Sequence, residues 1–287
     1  MHFVDAKGIL SAKNGMNMYR GCTHGCIYCD SRSTCYGFLH DFEDVEVKQN
    51  APQLLEKALI TKRKLCMIGT GAMCDPYMHC EKELKITRRC LEIIEKHGFG
   101  ISLLTKSDGV LRDLDIIKRI NEKSKFVLQM TLTTFDEELC RIVEPNVCTT
   151  YRRFQVLKEF KKNNIPTIVW LAPLLPYIND TEENLIGILN YCIEAGVRGI
   201  VHFGMGLTLR EGDREYYYSK LDQFFPGLKE RYISEYGNSY ELISRNAYQL
   251  EAVFQKVCRN NNIETDIRQI FTYLNDFPEK YEQLSLF

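Results

Sequence analysis

Tyr19-Arg20-Gly21-Cys22-Thr23-His24-Gly25-Cys26-Ile27-Tyr28-Cys29 is the stretch on which both the fold and the chemistry turn. Its cysteines follow a Cys-x3-Cys-x2-Cys spacing, with an aromatic residue directly before the last. Three thiols in one short loop are too many for a disulfide and too close together for a packing role. Thiolate sulfur is a soft ligand, so the loop suits a cubane iron–sulfur cluster. A 4Fe–4S cluster takes four ligands, and Cys22, Cys26 and Cys29 supply three, which leaves one iron open to a substrate or cofactor. The alternative is a zinc site with His24 or His40 as fourth ligand. His24 lies inside the loop and would need a tight wrap, and the second cysteine pair of a common structural zinc site is absent.

Working outward, 287 residues suffice for one large α/β domain or a domain with an appendage. The net charge of −1 excludes a global field for nucleic acid, so any such contact needs a local basic patch. Twelve cysteines with no paired spacing and no signal-peptide pattern point to a reducing, cytoplasmic setting. No apolar run is long enough to span a bilayer, so no membrane partner is expected.

Strands and helices alternate along the chain. Strands are expected over 16–19, 65–70, 100–105, 126–133, 165–172 and 197–203. Helices are expected over 51–63 with Asn50 as cap, over 81–97 ending at Gly98, and over 111–121, 136–142 and 151–163. A further helix over 182–195 opens on a capping box of Asp180 and Glu183. Six strands with intervening helices predict a parallel sheet in an incompletely closed, TIM-like (β/α)6 barrel, an α/β fold whose chemistry sits at the C-terminal strand ends. The cysteine loop follows the first strand. Polar residues recur at other strand ends: Gly69, Thr70 and Gly71, then Lys106 and Ser107, then Thr131 and Thr133, then Ala172-Pro173.

With this context the triplet, and Tyr28 before its last cysteine, resemble the radical S-adenosylmethionine (SAM) enzymes. The chain further resembles the spore photoproduct lyase family, the DNA repair photolyase-like group. The resemblance lies in Cys22–Cys29, Gly69–Asp75 with Pro76-Tyr77, Leu103–Lys106, Glu144-Pro145 with Arg153, and Leu171–Pro173, spread over about residues 15–205. It implies a radical SAM barrel, a 4Fe–4S cluster and SAM as cofactors, and a one-electron donor such as flavodoxin or ferredoxin. It also implies that Lys106 binds the SAM carboxylate and that Thr131 and Ala172 line the SAM site. Tyr28, Gly69, Thr70, Gly71, Asp75 and Ser107 complete the expected cofactor-binding set. Two departures matter. Spore photoproduct lyases carry a hydrogen-donating cysteine three residues before the aspartate, where this chain has Ala72; Cys74 stands directly before Asp75 instead. They carry a tyrosine after the last cluster cysteine, where this chain has Asp30. Cys74 is therefore either a substitute hydrogen donor or a small buried hydrophobe. Asp75 either bonds SAM or caps its own loop. Arg152 and Arg153 either anchor an anion or form ion pairs.

The barrel is expected over 1–210. Residues 211–275 read as a purely helical extension: 213–225, 227–236, 240–260 and 266–276. Its aromatics, Tyr216, Tyr217, Tyr218, Phe224, Phe225, Tyr232 and Tyr236, are interleaved with Lys220, Lys229, Arg231 and Arg245. They either stack on the bases of an opened strand or pack the extension against the barrel. A tail over 276–287 ends in Gln283, Leu284, Ser285, Leu286 and Phe287, which resembles the peptide by which bacterial replication and repair proteins bind the DNA polymerase sliding clamp. That motif and the family resemblance both imply DNA as a partner. The other readings are radical chemistry on RNA or a protein side chain, and a clamp-tethered iron–sulfur protein without turnover.

Overall fold

A computed structural model describes residues 1–278. The expected tail motif, Gln283 to Phe287, lies outside the described residues. The chain opens with four short strands: β1 (His2–Val4), β2 (Gly15–Met16), β3 (Tyr19–Arg20) and β4 (Glu46–Lys48). β4 pairs with β1 on one side and with β3 on the other. The expected strand over 16–19 is thus split. Its first part belongs to the main sheet and its second to this small sheet, which carries the chain into the cysteine loop.

From here helices and strands alternate: α1 (Ala51–Thr61), β5 (Met67–Thr70), α2 (Glu81–Leu84), α3 (Ile86–Lys96), β6 (Gly100–Thr105), α4 (Leu114–Lys123) and β7 (Phe126–Thr131). They continue with α5 (Glu137–Val143), α6 (Thr150–Lys162), β8 (Thr167–Trp170), α7 (Glu182–Ala195) and β9 (Gly199–Val201). The main sheet has the order β2-β5-β6-β7-β8-β9, and every pairing is parallel. The ends do not join, so this is the open six-stranded barrel that the alternation predicts.

Side chains alternate across a strand, and this sorts the core. Ile68, Ile101, Leu103, Phe126, Leu128, Met130, Val169 and Ile200 face outward into the main hydrophobic cluster with the helices. Met67, Val127, Ile168 and Val201 belong to a separate inner cluster. Burial on both faces explains why β7 is apolar along most of its length and wholly buried.

After β9 come β10 (Gly206–Thr208), α8 (Asp213–Phe224), α9 (Leu228–Tyr236), β11 (Glu241–Ile243), α10 (Ala247–Asn260) and α11 (Ile267–Asn275). The extension is therefore not purely helical. Residues 241–243 pair antiparallel with β10, and the expected helix over 240–260 begins only at Ala247. Ile270 and Leu274 of α11 pack on the inner cluster and fill the sheet's inner face away from the cysteine loop. The chain before α11 also covers the last strand's edge, where Ile200 N–H donates to Glu264 O at 2.9 Å.

Two expected caps differ in detail. Thr181, not Asp180, accepts the helix N–H of Asn184, while Asp180 accepts from Tyr177 N–H and from the Ser244 hydroxyl. Asn50 precedes α1, but its amide exchanges two hydrogen bonds with the Ala6 backbone. Among the described residues no helix is long and apolar enough to cross a membrane.

Candidate active site

The cysteine loop lies at the C-terminal end of the sheet, over a cavity of about 660 Å³. Gly21 starts it at φ 88°, and a Cβ there would sit 2.4 Å from Phe42 O. The loop is braced by distant backbone. Ile27 N–H donates to Val143 O at 3.0 Å, Asn146 N–H to His24 O at 3.1 Å, and Thr34 N–H to Glu211 O at 2.9 Å. Cys22 and Cys26 are buried, Cys29 is half-buried, and all three line the cavity. Burial pushes all three thiols up, Cys26 to about 12, although Lys106 opposes this at Cys26 and Cys29. The loop therefore keeps neutral thiols until a metal displaces their protons.

The donor set fits a cluster better than one ion. Four ligands around tetrahedral zinc place sulfurs about 3.8 Å apart. Among the described residues, the one trio of metal-ligating side chains whose ligand atoms all lie within 4.8 Å of one another is His2, His40 and Glu46, not the cysteines. A cubane, which spreads its thiolates over separate irons, accommodates sulfurs farther apart than that. Of the two histidines of the zinc alternative, His40 groups with His2 and Glu46 in the small sheet and not with the cysteines. His24 lies 3.5 Å from Asp75, and His40 lies 2.8 Å from Glu46.

The inner-face rule places the remaining residues. Leu104, Lys106, Thr131, Trp170 and Ala172 share the face that lines the cavity, together with Gly71, Cys74, Asp75 and Tyr28. Thr70 is buried outside this lining, Gly69 lies within β5, and Ser107 caps a turn by accepting from Gly109 N–H at 3.1 Å. These three expected site residues are not part of the cavity wall. Gly71 has φ 98°, and a Cβ there would lie 1.9 Å from Leu104 O, so the loop after β5 packs directly on β6.

Asp75 clamps this corner. It accepts from Thr105 Oγ1 at 2.7 Å, Tyr77 N–H at 2.8 Å and Lys106 N–H at 2.7 Å. Lys106 itself is half-buried, with its Nζ 5.8 Å from the Tyr28 ring centre. Burial works against this cation, but Cys26, once ionised, and Glu144 hold it above its ordinary value. Among the described residues no carboxylate lies within ion-pair distance of it. Below it, Tyr28 donates to Glu144, whose carboxylate pairs with Arg153 at 2.6 Å, both fully buried. Arg153 also donates to Thr131 O at 3.1 Å. It is thus a buried anchor for the strand end, while Arg152 pairs with Asp108 at the surface. Cys74 is buried on the wall, and its thiol donates to Tyr19 O at 2.9 Å. Burial raises its pKa to about 12, so it stays protonated.

Several wall residues escape a sequence reading. Tyr36 reaches the cavity, its hydroxyl donating to Asp30 at 2.8 Å. Phe203, Ile243 and Tyr248 form an exposed apolar rim, with Glu241 and Glu251 beside them. The strand pair β10-β11 delivers part of this rim, and no motif announces it. Tyr217 and Tyr232 of the extension turn inward, fully buried, and share a hydroxyl contact of 3.0 Å, whereas Phe224 is exposed and Tyr216 lies beneath Lys220 and Arg32. Arg231 covers Tyr177, Lys229 pairs with Asp222 and Arg245 with Glu235. Tyr217 and Tyr232 pack the extension, and among the described residues Arg231, Lys229 and Arg245 are all engaged by these neighbours.

An open parallel six-stranded barrel with three thiols at the end of its first strand defines a radical SAM fold. The Radical SAM superfamily model matches residues 16–189, and the chain belongs to that superfamily. Its cofactors are a 4Fe–4S cluster and SAM. An uncharacterized protein of Methanocaldococcus jannaschii is 34% identical over 62% of this chain and 67% of its own length. An uncharacterized protein of Mycobacterium tuberculosis is 30% identical over 77% of this chain and 66% of its own. The chain thus spans about two thirds of the length of these relatives. Among solved structures, spore photoproduct lyase complexed with dinucleoside spore photoproduct superposes with a TM-score of 0.62 at 13% identity, over 86% of this chain and 74% of that one. This likeness is one of fold.

Proposed function

We propose that this chain is a radical SAM enzyme whose cluster is held by Cys22, Cys26 and Cys29 and whose substrate enters the cavity beneath them. The observation that carries this reading is the convergence of the three thiols, the free Lys106 cation and a sizeable cavity at one end of the sheet. Held there, the cluster and SAM would supply reductive cleavage of SAM to methionine and a 5′-deoxyadenosyl radical able to take a hydrogen atom from the substrate. The chain's own residues bind, orient and exclude water. Lys106 pairs with the methionyl carboxylate. Thr131 and Ala172, which line the cavity, would border the nucleoside. Asp75 acts indirectly, holding the Lys106 backbone. Cys74 is the candidate donor of a hydrogen atom to the product radical, since its S–H is retained and it stands on the wall.

For the substrate, the spore photoproduct lyase-like fold and the Gln283–Phe287 motif support DNA-associated, lyase-like or repair chemistry. One observation favours a second reading, a polypeptide side chain. The rim carries Glu241 and Glu251, and the described lining residues include no lysine or arginine other than Lys106; Asp30 on the wall is paired with Arg210 at 3.2 Å. Such a rim repels phosphodiesters and tolerates neutral or cationic groups.

The test is isotopic. Anaerobically reconstituted protein should hold about four irons and cleave SAM. Replacing any one of the three cysteines by Ala should abolish both. Deuterium should then pass into 5′-deoxyadenosine from labelled oligonucleotides under the first reading, and from labelled polypeptides under the second. Zinc without iron, in protein made anaerobically with ample iron, would refute the enzyme itself.

A further inference from the structure

A second metal-ligating group lies outside the cavity. His2 of β1, His40 of the loop before β4, and Glu46 of β4 bring one ligand atom each within 4.8 Å of the others. The spacing 2, 40, 46 is invisible as a motif; pairing of β1 with β4 sets His2 directly opposite Glu46. We propose that these three side chains bind a divalent transition-metal ion of the zinc class, independently of the cluster.

The chemistry of the donors supports it. Two imidazoles and one carboxylate are a common zinc set, with a water in the fourth position. Metal-binding histidines hold their outer ring nitrogen against an oxygen, which fixes the tautomer and aims the other nitrogen at the ion. Both histidines meet this condition. His2 Nδ1 lies 3.0 Å from Asp44 Oδ2, and His40 Nδ1 lies 2.9 Å from Asp41 O. His2 Nε2 is thereby left as the available lone pair, and His40 Nε2 faces Glu46 Oε1 at 2.8 Å. The rings meet edge to face, 5.0 Å apart. All three side chains are partly exposed, so an ion can enter. The N-terminal ammonium pairs with Asp44 at 2.5 Å, Lys48 lies near Glu46, and Arg20 makes the direct cationic contact with it. Arg20 Nη1 lies 3.6 Å from Glu46, but its guanidinium is also held by the carbonyls of Tyr36 and Gly37 and by the Phe38 ring.

The ion would clip the N-terminal strand to the segment that leaves the cysteine loop. Arg20 and Gly21 run from this small sheet straight into Cys22, so the clip would steady the loop without touching the cavity.

The test uses untagged, full-length protein with its cluster already in place, so that the loop cysteines are occupied. After exposure to zinc and dialysis, the holoprotein should retain one zinc per chain. X-ray absorption at the zinc edge should show nitrogen and oxygen neighbours at about 2.0–2.1 Å and no sulfur shell. His40→Ala should abolish retention. Glu46→Gln, which keeps the side chain's size, should weaken it at least tenfold, and Asp44→Asn by roughly 10-fold through the lost orienting contact. Failure of the holoprotein to retain zinc, equal retention by the Glu46→Gln protein, or a sulfur shell near 2.3 Å would each overturn the proposal. None of these readouts depends on SAM cleavage, so they stand apart from the enzymatic reading.

Discussion

At the residue scale, the proposed function divides the site into groups that touch a cofactor and groups that hold those groups in place. Lys106 is of the first kind. Replacing it with Met should weaken SAM binding by roughly 10–100-fold, the worth of a charge-assisted hydrogen bond. Equilibrium dialysis of the cluster-loaded protein measures this, and unchanged binding would mean that the carboxylate is held elsewhere. Cys74 gives a different signature. Cys74→Ala should still cleave SAM but yield stalled or altered substrate product; unchanged product would leave Cys74 as a packed thiol only. Glu144 is of the second kind. Glu144→Gln leaves the Arg153 charge buried without its partner and should cost about 3–5 kcal/mol in urea unfolding. The cysteines were legible in sequence because ligand spacing within one loop needs no fold to be seen. Lys106 was legible because it ends an apolar strand. Tyr36, Glu241 and Tyr248 were not, because only the folded chain brings them to the cavity, and Thr70 was over-read because alternation turns it to the outer face.

At the scale of elements, boundaries moved wherever a side chain overrode the local pattern. The expected helix over 81–97 breaks at Lys85, φ 51°, because the buried Glu81 carboxylate accepts the Ile86 and Thr87 N–H groups and starts a new helix there. Nothing in the periodicity marks that break. β11 was read as helix because Glu241, Leu242 and Ile243 are too few to show alternation against a helical background. Two predictions belong here. Gly71→Ala should destabilise the loop after β5 by about 1–3 kcal/mol, since it meets both a left-handed backbone and the Leu104 carbonyl. A melting temperature unchanged from wild type would mean that β6 yields easily. The second concerns the start of α8. Asp213 is buried, with Oδ2 lacking a hydrogen-bond partner, and burial raises its pKa to about 6. A raised carboxyl pKa costs stability above that value, and the cost is relieved as pH falls from about 6 toward the unfolded value near 4. Asp213→Asn should therefore gain about 1–3 kcal/mol over wild type at pH 7.5, and the difference should shrink by pH 4.5. A pH-independent difference would rule out this titration.

At the scale of the whole molecule, the alternation of strands and helices made the open barrel readable in advance. What covers it was not, because α11 and the Tyr217–Tyr232 cluster dock through tertiary contacts without a local signature. Recruitment to a sliding clamp, proposed from the Gln283–Phe287 motif, has its own test. A peptide of residues 282–287 should bind a bacterial clamp, and Leu286→Ala with Phe287→Ala should remove binding while leaving SAM cleavage intact. Equal clamp retention by wild type and the double variant would refute recruitment. The bracing of the cysteine loop has a consequence for how the protein is made. Thr34 also reaches Glu211 through its hydroxyl, across 177 residues of chain. At ordinary rates of synthesis the cysteines leave the ribosome roughly 10–35 s before that brace exists. Throughout that interval three thiols hang on a loop whose supports at Val143, Asn146 and Glu211 are not all translated. A nascent chain arrested before residue 211 should therefore expose these thiols to alkylation more than the finished chain without its cluster does.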